Sequence, residues 1–136
     1  LDSLTVGVTE DSTISRMTIS LTSDDRTFEQ IKKQLSRSIE VIKVVDYTDT
    51  SIHMKEILFI KVIHCSDADM TELFRISKVF GVEIIDYDGD TVLLECTQTE
   101  NRNNDLIALL KRKFVNSIEI VRGGSVAVEA VSISER

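Results

Sequence analysis

The chain has 136 residues, enough for one ordinary domain or two small ones, and its hydrophobic content of 42% is enough to bury a core. Its formal net charge of −7 argues against nucleic acid and anionic membranes as partners, because both bind basic surfaces. The sequence contains no apolar run long enough to span a bilayer. The two cysteines, Cys65 and Cys96, are too few for a disulfide scaffold and fall in strand-like runs. Cysteine in such runs behaves as a small apolar residue, and a metal or redox role is the alternative.

The chain opens with a pattern that is typical of a β-hairpin. Residues 3–9 and 16–22 alternate apolar and polar side chains with a period of two. The polar break Glu10–Ser12 between them is rich in turn-forming residues. Each predicted strand has one apolar and one polar face, as expected for an antiparallel sheet that is covered on one side only.

A helix and a third strand are predicted next. Thr27–Ser38 has apolar side chains at helical spacing, and Thr27 with Gln30 fits a capping box. The apolar stripe consists of Phe28, Ile31 and Leu35. Ile39–Asp46 is dense in β-branched residues and predicts a strand that is buried on much of both faces. The first half of the chain therefore has the predicted order β-β-α-β.

The pattern begins again after the polar segment Tyr47–Ser51, which is the best candidate for a domain boundary. Gly81 predicts a helix stop, and Asp88-Gly89-Asp90 predicts a tight hairpin turn, because such turns need positive φ. No element is assigned to residues 126–136. The other predicted elements are the strand Lys55–His64, a helix between Ser66 and Gly81, the strands Val82–Tyr87 and Thr91–Cys96, the helix Asn103–Phe114, the strand Ser117–Val121 and the turn Arg122–Ser125.

The order of the second half, β-α-β-β-α-β, is that of a ferredoxin-like unit. The first half has the same order without its opening strand and helix, which indicates an internal repeat of elements. We expect an α+β protein with two ferredoxin-like domains in tandem, at residues 1–50 and 51–136. The first strand of such a unit lies in the middle of its sheet, so Ile39–Asp46 lacks the neighbour that it needs. A strand and a helix of about 20 to 25 residues are expected to be disordered, removed or supplied by another molecule.

Metal-binding patterns are weak in this sequence. His64 and Cys65 are adjacent, and neighbouring side chains of a strand point to opposite faces, which disfavours one shared metal ion. Asp86, Asp88 and Asp90 are spaced like calcium ligands, but the glycine and the terminal glutamate of that loop are missing. The sequence therefore favours a hairpin turn there and no metal site.

Catalytic patterns are also missing. The sequence contains no nucleophile elbow, no glycine-rich dinucleotide motif and no P-loop. Arg122–Gly124 offers backbone N–H groups to an anion, but a plain turn after a strand is favoured. Because no general acid, base and nucleophile come together, we do not expect catalysis by this chain alone.

Seven segments lie in order along nearly the whole chain: Leu1–Gly7, Ser15–Ile19, Phe28–Leu35, Val41–Val44, Lys55–Val62, Phe80–Asp86 and Glu119–Gly124. Through these segments the chain resembles the small regulatory subunit of acetolactate (acetohydroxyacid) synthase. The resemblance implies an ACT domain that lacks its N-terminal strand and helix, followed by a second ferredoxin-like domain. Asn103 and Asn104 depart from the usual pattern of that family in the last helix.

The resemblance also implies a regulatory role without catalysis. A chain of this family binds the large catalytic subunit, raises its activity and mediates feedback inhibition by valine or another branched-chain amino acid. Thiamine diphosphate, magnesium and FAD are then expected on the catalytic subunit, with no cofactor on this chain. A cytoplasmic location and a homodimer or larger homo-oligomer are implied as well.

In that family the effector lies between two ACT domains, against the loop after the first strand and the start of the second. Only Leu1, Asp2 and Thr5 correspond to positions beside that site. The loop and an asparagine just before the position of Leu1 are outside this sequence, so weak amino-acid binding by these 136 residues is expected.

Two other functions remain as alternatives. The first is a free-standing ACT-type amino-acid sensor or structural oligomer without an enzyme partner. The second is a small enzyme of ferredoxin-like fold, which would need a convergent polar pocket that the sequence does not indicate.

Overall fold

A computed structural model of the chain describes residues 1–114 and 117–132. The chain forms two compact units: unit 1 is Leu1–Met54 with the chain from Ala127 onward, and unit 2 is Lys55–Val126. The predicted domains 1–50 and 51–136 stay a prediction, and residues 115–116 and 133–136 of the second lie outside the described residues. The elements are β1 (Ser3–Val8), β2 (Ser15–Ser20), α1 (Asp25–Arg37), β3 (Ile52–Val62), α2 (Asp67–Phe80), β4 (Glu83–Asp88), β5 (Thr91–Gln98), α3 (Glu100–Lys113) and β6 (Ile118–Glu129).

In unit 1, β1 and β2 form the predicted antiparallel hairpin as a two-stranded sheet. Leu4 lies opposite Ile19 and Val6 opposite Met17, so these apolar side chains share one face, as the alternation predicts. That face is poorly covered, because Leu4 is 47% exposed and Val6 61% exposed. None of residues 1–54, all of which the structure describes, is buried. This part of the chain therefore has no closed core of its own.

The helix of unit 1 begins before the predicted position. Its N-cap is Asp24, whose carboxylate accepts a hydrogen bond from the backbone N–H of Thr27 at 2.7 Å. The predicted capping box at Thr27 and Gln30 is wrong, because Thr27 lies inside the helix and its N–H already has this partner. The same hydrogen bond holds the pKa of Asp24 below its ordinary value.

The predicted strand Ile39–Asp46 is wrong. Residues 41–47 have no regular secondary structure and belong to neither sheet. Ile39 is 99% exposed and Ile42 79% exposed, so the predicted burial is absent as well. A strand needs a neighbour that takes its backbone hydrogen bonds, and in residues 1–114 and 117–132 no strand pairs with this segment. A β-branched composition is therefore not sufficient to form a strand here.

Unit 2 has the predicted order β-α-β-β-α-β, and its sheet has the strand order β4-β5-β3-β6. The first strand of the unit, β3, thus lies in the middle of the sheet, as predicted. The core side chains of β3 meet those of β5 directly across the ladder, in the pairs Leu58–Cys96, Ile60–Leu94 and Val62–Val92. The helices add Leu73 and Ile76 from α2 and Leu106 and Leu110 from α3 to the same core. Unit 2 is therefore a two-layer arrangement of helices on one face of an antiparallel sheet.

The ends of the unit 2 helices follow local sequence signals. Ser66 and Asp69 form a reciprocal capping box at the start of α2, and Gly81 ends the helix with φ 67°, as predicted. The predicted hairpin turn after β4 is confirmed, with Gly89 at φ 55°. The predicted start of α3 at Asn103 is wrong, because the hydroxyl of Thr99 accepts from the N–H of Arg102 and caps the helix earlier.

The predicted turn Arg122–Ser125 is also wrong, because β6 runs through it from Ile118 to Glu129. A Cβ at Gly123 would stand 2.7 Å from Cγ2 of Ile57, so this glycine permits close approach to the neighbouring strand. Gly124 has φ 82°, a conformation that other residues rarely adopt. The two glycines therefore serve packing and a local irregularity within a strand.

Candidate functional site

The residues that the family resemblance sets beside an effector site lie at the open end of the β1–β2 hairpin. The backbone N–H of Asp2 donates to the carbonyl of Ser20 at 2.8 Å, and the hydroxyl of Thr22 donates to Oδ2 of Asp2 at 2.7 Å. Leu1 is 80% exposed. Thr5 is half-buried and lies opposite Thr18 in the ladder. Hydrogen bonds thus join Asp2 to the end of β2, with the exposed Leu1 just before it in sequence and Thr5 further along β1.

This end of the hairpin has the chemistry to bind a small polar group. An ionised carboxylate has about four acceptor positions, and the hydrogen bond from the hydroxyl of Thr22 uses one of those of Asp2. The preceding residue, Leu1, adds an exposed apolar side chain to this end of the hairpin. An ammonium group is the natural partner of such a carboxylate, but the position is open to solvent, since both Leu1 and Asp2 are exposed.

A second concave surface in unit 1 is a groove of about 490 Å³ beside α1. Lys32 lies in this groove, with Nζ 3.1 Å from Oε1 of Glu29 and 3.2 Å from Oδ2 of Asp46. The hydrogen bond to Glu29, followed by that to Asp46, raises the pKa of Lys32. Hydrogen bonds from Thr48, with a smaller effect of Lys32, lower the pKa of Asp46. These contacts hold the irregular segment 41–47 against α1, so we assign them a structural role and not that of a ligand site.

Sequence reasoning missed a buried polar cluster in unit 2. Glu56 on β3 is only 4% exposed. Its Oε1 accepts hydrogen bonds from Nε of Arg122 at 3.0 Å, from Nη2 of Arg122 and from Nδ2 of Asn103 at 3.1 Å. Nη1 of Arg122 also donates to Oδ1 of Asn104 at 2.6 Å. The cluster therefore connects β3, β6 and α3 through side chains that are far apart in the sequence.

Asn103 is fully buried in this cluster, and its orientation follows from its contacts. Nδ2 of Asn103 donates to both the backbone carbonyl and the carboxylate of Glu56. In the reversed amide, Oδ1 would face these two acceptor oxygens and repel them. Its Oδ1 has no hydrogen-bond donor among the residues that the structure describes. A local signal existed: Glu56 shares the alternating face of Leu58, Ile60 and Val62, where a charge is unexpected.

The candidate metal and nucleophile residues are not arranged for chemistry. The sequence argument against a metal ion shared by His64 and Cys65 assumed that both residues lie on a strand. That argument is wrong, because β3 ends at Val62 and His64 lies in the following loop with φ 57°. Burial, followed by the charges of Asp69 and Asp90, raises the pKa of Cys65. Both cysteines thus favour the thiol, since burial also raises the pKa of Cys96.

No group of three or more His, Cys, Asp or Glu side chains within residues 1–114 and 117–132 is placed to hold a metal ion. The helices in this described part of the chain are too short and too polar to cross a bilayer, the longest having 14 residues.

Comparisons with known proteins agree with the two-unit architecture. A family model described as an AHAS small subunit-like ACT domain matches residues 1–43, and one described as the small subunit of acetolactate synthase matches residues 55–131. The acetolactate synthase small subunit of Aquifex aeolicus is 38% identical over an alignment of 136 positions, which covers 99% of this chain and 70% of that protein. A probable acetolactate synthase small subunit of Archaeoglobus fulgidus is 35% identical over 128 residues, covering 94% of this chain and 78% of the relative.

The fold is shared with a solved relative. The crystal structure of the acetolactate synthase small subunit from Thermotoga maritima superposes with a TM-score of 0.81 at 34% sequence identity, covering 96% of this chain and 80% of that one. The predicted α+β class with βαββαβ-like units is therefore confirmed, and the protein is one in which an ACT-like segment precedes a ferredoxin-like unit. The chain belongs to the acetolactate synthase small-subunit family.

Proposed function

We propose that this chain is a regulatory subunit of acetolactate synthase, which binds the large catalytic subunit and raises its activity. The observation that carries the proposal is the pair of family matches, which follow each other at residues 1–43 and 55–131. The names of the relatives support a partner catalytic subunit, because a small subunit acts with a larger one. Neither thiol favours the thiolate form, which also fits a role other than catalysis.

The finer parts of the proposal concern the effector and the assembly. Valine or another branched-chain amino acid is the proposed feedback inhibitor, bound near Leu1, Asp2 and Thr5 between two copies of the ACT domain. The carboxylate of Asp2 and the exposed apolar side chain of the preceding residue Leu1 support an amino-acid ligand, which has both an ammonium group and an apolar side chain. Thiamine diphosphate, magnesium and FAD are proposed for the catalytic subunit, and the cytoplasm is the proposed location.

Regulation of this kind needs only that the effector binds two states of the complex with different affinities. A site shared by two copies meets this requirement, because a change in their arrangement changes the site. A homodimer is therefore the smallest assembly that the proposal requires.

The direct test is an acetolactate synthase assay with the cognate catalytic subunit, alone and with increasing amounts of this chain. We expect the chain to raise the rate to a plateau as the complex forms, and co-elution in gel filtration to follow the same concentration dependence. A rate and an elution profile that do not change with added chain contradict the proposal and favour a free-standing sensor or structural oligomer.

Feedback inhibition is tested by adding valine, leucine or isoleucine to the same assay. Inhibition of the complex at amino-acid concentrations that leave the catalytic subunit alone unaffected supports the effector role. Inhibition of equal strength with and without the chain contradicts the effector role.

A further inference from the structure

The edge strand of unit 2, β4, contains a bulge that turns an aromatic side chain toward the helix-bearing face. Ile84 lies opposite Leu94, but the next pair is Asp86 with Leu93, so Ile85 is an extra residue. Tyr87 consequently lies opposite Val92. Without the extra residue, Ile84 and Tyr87 would point to opposite faces, because side chains alternate along a strand. With it, both lie on the face whose β5 side chains form the core.

On that face Tyr87 meets an aromatic side chain of α2. The rings of Phe74 and Tyr87 are 6.2 Å apart between centroids at an interplanar angle of 79°, an edge-to-face pair. The pair stays accessible, since Phe74 is 41% exposed and Tyr87 64% exposed. The extra residue Ile85 is 44% exposed. Tyrosine and phenylalanine that stay accessible in this way are typical anchors of protein interfaces.

The same strand carries a concentrated negative charge. Glu83, Asp86 and Asp88 are three of its six residues, and β4 has no basic residue. All three are exposed, and none forms an ion pair in the part of the chain that the structure describes. β4 also lies at the end of the strand order, so its outer backbone groups face away from the sheet.

The negative charges of β4 determine which kind of binding partner can pair with this edge strand. A second copy would bring its own Glu83, Asp86 and Asp88 against the same side chains, and like charges directly opposite destabilise a strand pair. A segment with lysine or arginine among apolar residues would instead match both the charges and the aromatic pair. The acidic aromatic edge, defined as β4 with Phe74, therefore suits a basic segment of a different chain.

We propose that the acidic aromatic edge binds an extended, basic and apolar segment of the large catalytic subunit. This inference rests on the proposed function and adds to it the surface through which unit 2 contacts its partner. The backbone of β4 supplies strand-like hydrogen bonds, the ring pair supplies the apolar anchor, and the carboxylates orient the approaching segment.

The test measures binding of the full chain to the cognate catalytic subunit by surface plasmon resonance at low and high salt. Tyr87→Ser is expected to weaken binding about tenfold, as for an aromatic anchor. The double variant Asp86→Lys, Asp88→Lys is expected to slow association about tenfold at low salt, with a smaller effect at high salt. Circular dichroism of each variant checks that the fold is kept.

Matched controls use exposed residues elsewhere in unit 2. Asp105→Lys reverses one exposed charge on α3, and Val126→Ser removes an apolar side chain that is 59% exposed on β6. Both are expected to bind like the unchanged chain. If the β4 variants bind as tightly as the controls, or if only Val126→Ser weakens binding, this inference is overturned while the proposed function stands. Absence of binding by the unchanged chain overturns both.

Discussion

Glu56 and Arg122 form a salt bridge between the middle strand β3 and the edge strand β6, with one partner buried and the other at the surface. The Glu56 side chain is 3% exposed and that of Arg122 31% exposed. Ionised groups lose hydration on burial, and here three hydrogen-bond donors to Oε1 of Glu56 compensate. The pair joins residues that are 66 positions apart, so it forms only when unit 2 is folded.

Removing the arginine is expected to leave a buried charge without its partner. Arg122→Met should therefore lower the free energy of unfolding of unit 2 by about 2 kcal/mol, less than for a fully buried pair because Arg122 is partly hydrated. Glu56→Gln combined with Arg122→Met should lose less than Arg122→Met alone, because no charge is then stranded. Urea unfolding, monitored through hydrogen exchange of the unit 2 amides, measures the difference in the free energy of unfolding between the single and the double variant.

An exposed salt bridge between the same two strands provides the control. Nζ of Lys61 is 3.3 Å from Oε1 of Glu119, and the side chains are 47% and 57% exposed. Lys61→Met should change the free energy of unfolding by less than about 0.5 kcal/mol. If Lys61→Met and Arg122→Met lower the free energy of unfolding equally, burial of Glu56 is not the reason for the effect of Arg122→Met.

Gly123 is expected to tolerate no side chain. In Gly123→Ala the new Cβ would stand 2.7 Å from Cγ2 of Ile57, so the strands must separate or Ile57 must move. We expect a loss of about 1 to 3 kcal/mol in the free energy of unfolding, measured by chemical denaturation. Combining it with Ile57→Ala should restore part of the loss, because the opposing Cγ2 is gone. Gly7→Ala, where nothing lies within 4 Å, should be close to neutral, and a similar loss there would contradict this explanation.

Glu72 is expected to titrate far below an ordinary glutamate. Its hydrogen bonds to Arg75 and, second, to Lys113 lower its pKa from 4.5 to about 2. Because the folded-state pKa lies below the unfolded one, the stabilising effect is complete above about pH 4.5 and is lost as the pH falls toward 2. NMR titration of the Glu72 carboxyl group measures this directly. Arg75→Gln should raise the midpoint more than Lys113→Gln, and the reverse order would contradict the assigned cause.

The two units are expected to differ in protection from hydrogen exchange. Amides of β3 and β5 lie beside a closed core, for example at Leu58 and Leu94, which are 0% and 1% exposed. Residues 1–54, in contrast, contain no buried side chain. Amides of β1 and β2 should therefore exchange at least about tenfold faster than those of β3 and β5 in mass-spectrometric hydrogen exchange. Equal protection of the two sheets would show that unit 1 is stabilised by something other than its own packing.

Part of this fold follows from neighbouring residues alone. The alternation in β1 and β2, the helix stop at Gly81 and the hairpin turn at Gly89 were predicted and are confirmed. Each depends on backbone dihedral preferences or on the spacing of side chains within one element, and both are properties of a short stretch of sequence.

Other features of the fold depended on whether a segment has a neighbouring strand to pair with. Ile39–Asp46 has the composition of a strand but pairs with no strand in the described residues, whereas Arg122–Ser125 resembles a turn and lies inside β6. The candidate effector residues Leu1, Asp2 and Thr5 came from family resemblance, and their role stays a prediction. The cluster of Glu56, Asn103 and Arg122 and the exposed pair of Phe74 and Tyr87 were not predicted.

By itself, the sequence determined the order of the elements in unit 2, the α+β class and the family, because local periodicity and a series of short resemblances were enough for these. Only the tertiary structure decided that no strand in the described residues pairs with Ile39–Asp46, where the bulge in β4 directs Tyr87 and that the charge of Glu56 is buried. The physical reason is that burial and strand pairing are set by residues distant in sequence, whose free energies of interaction exist only once the chain has folded.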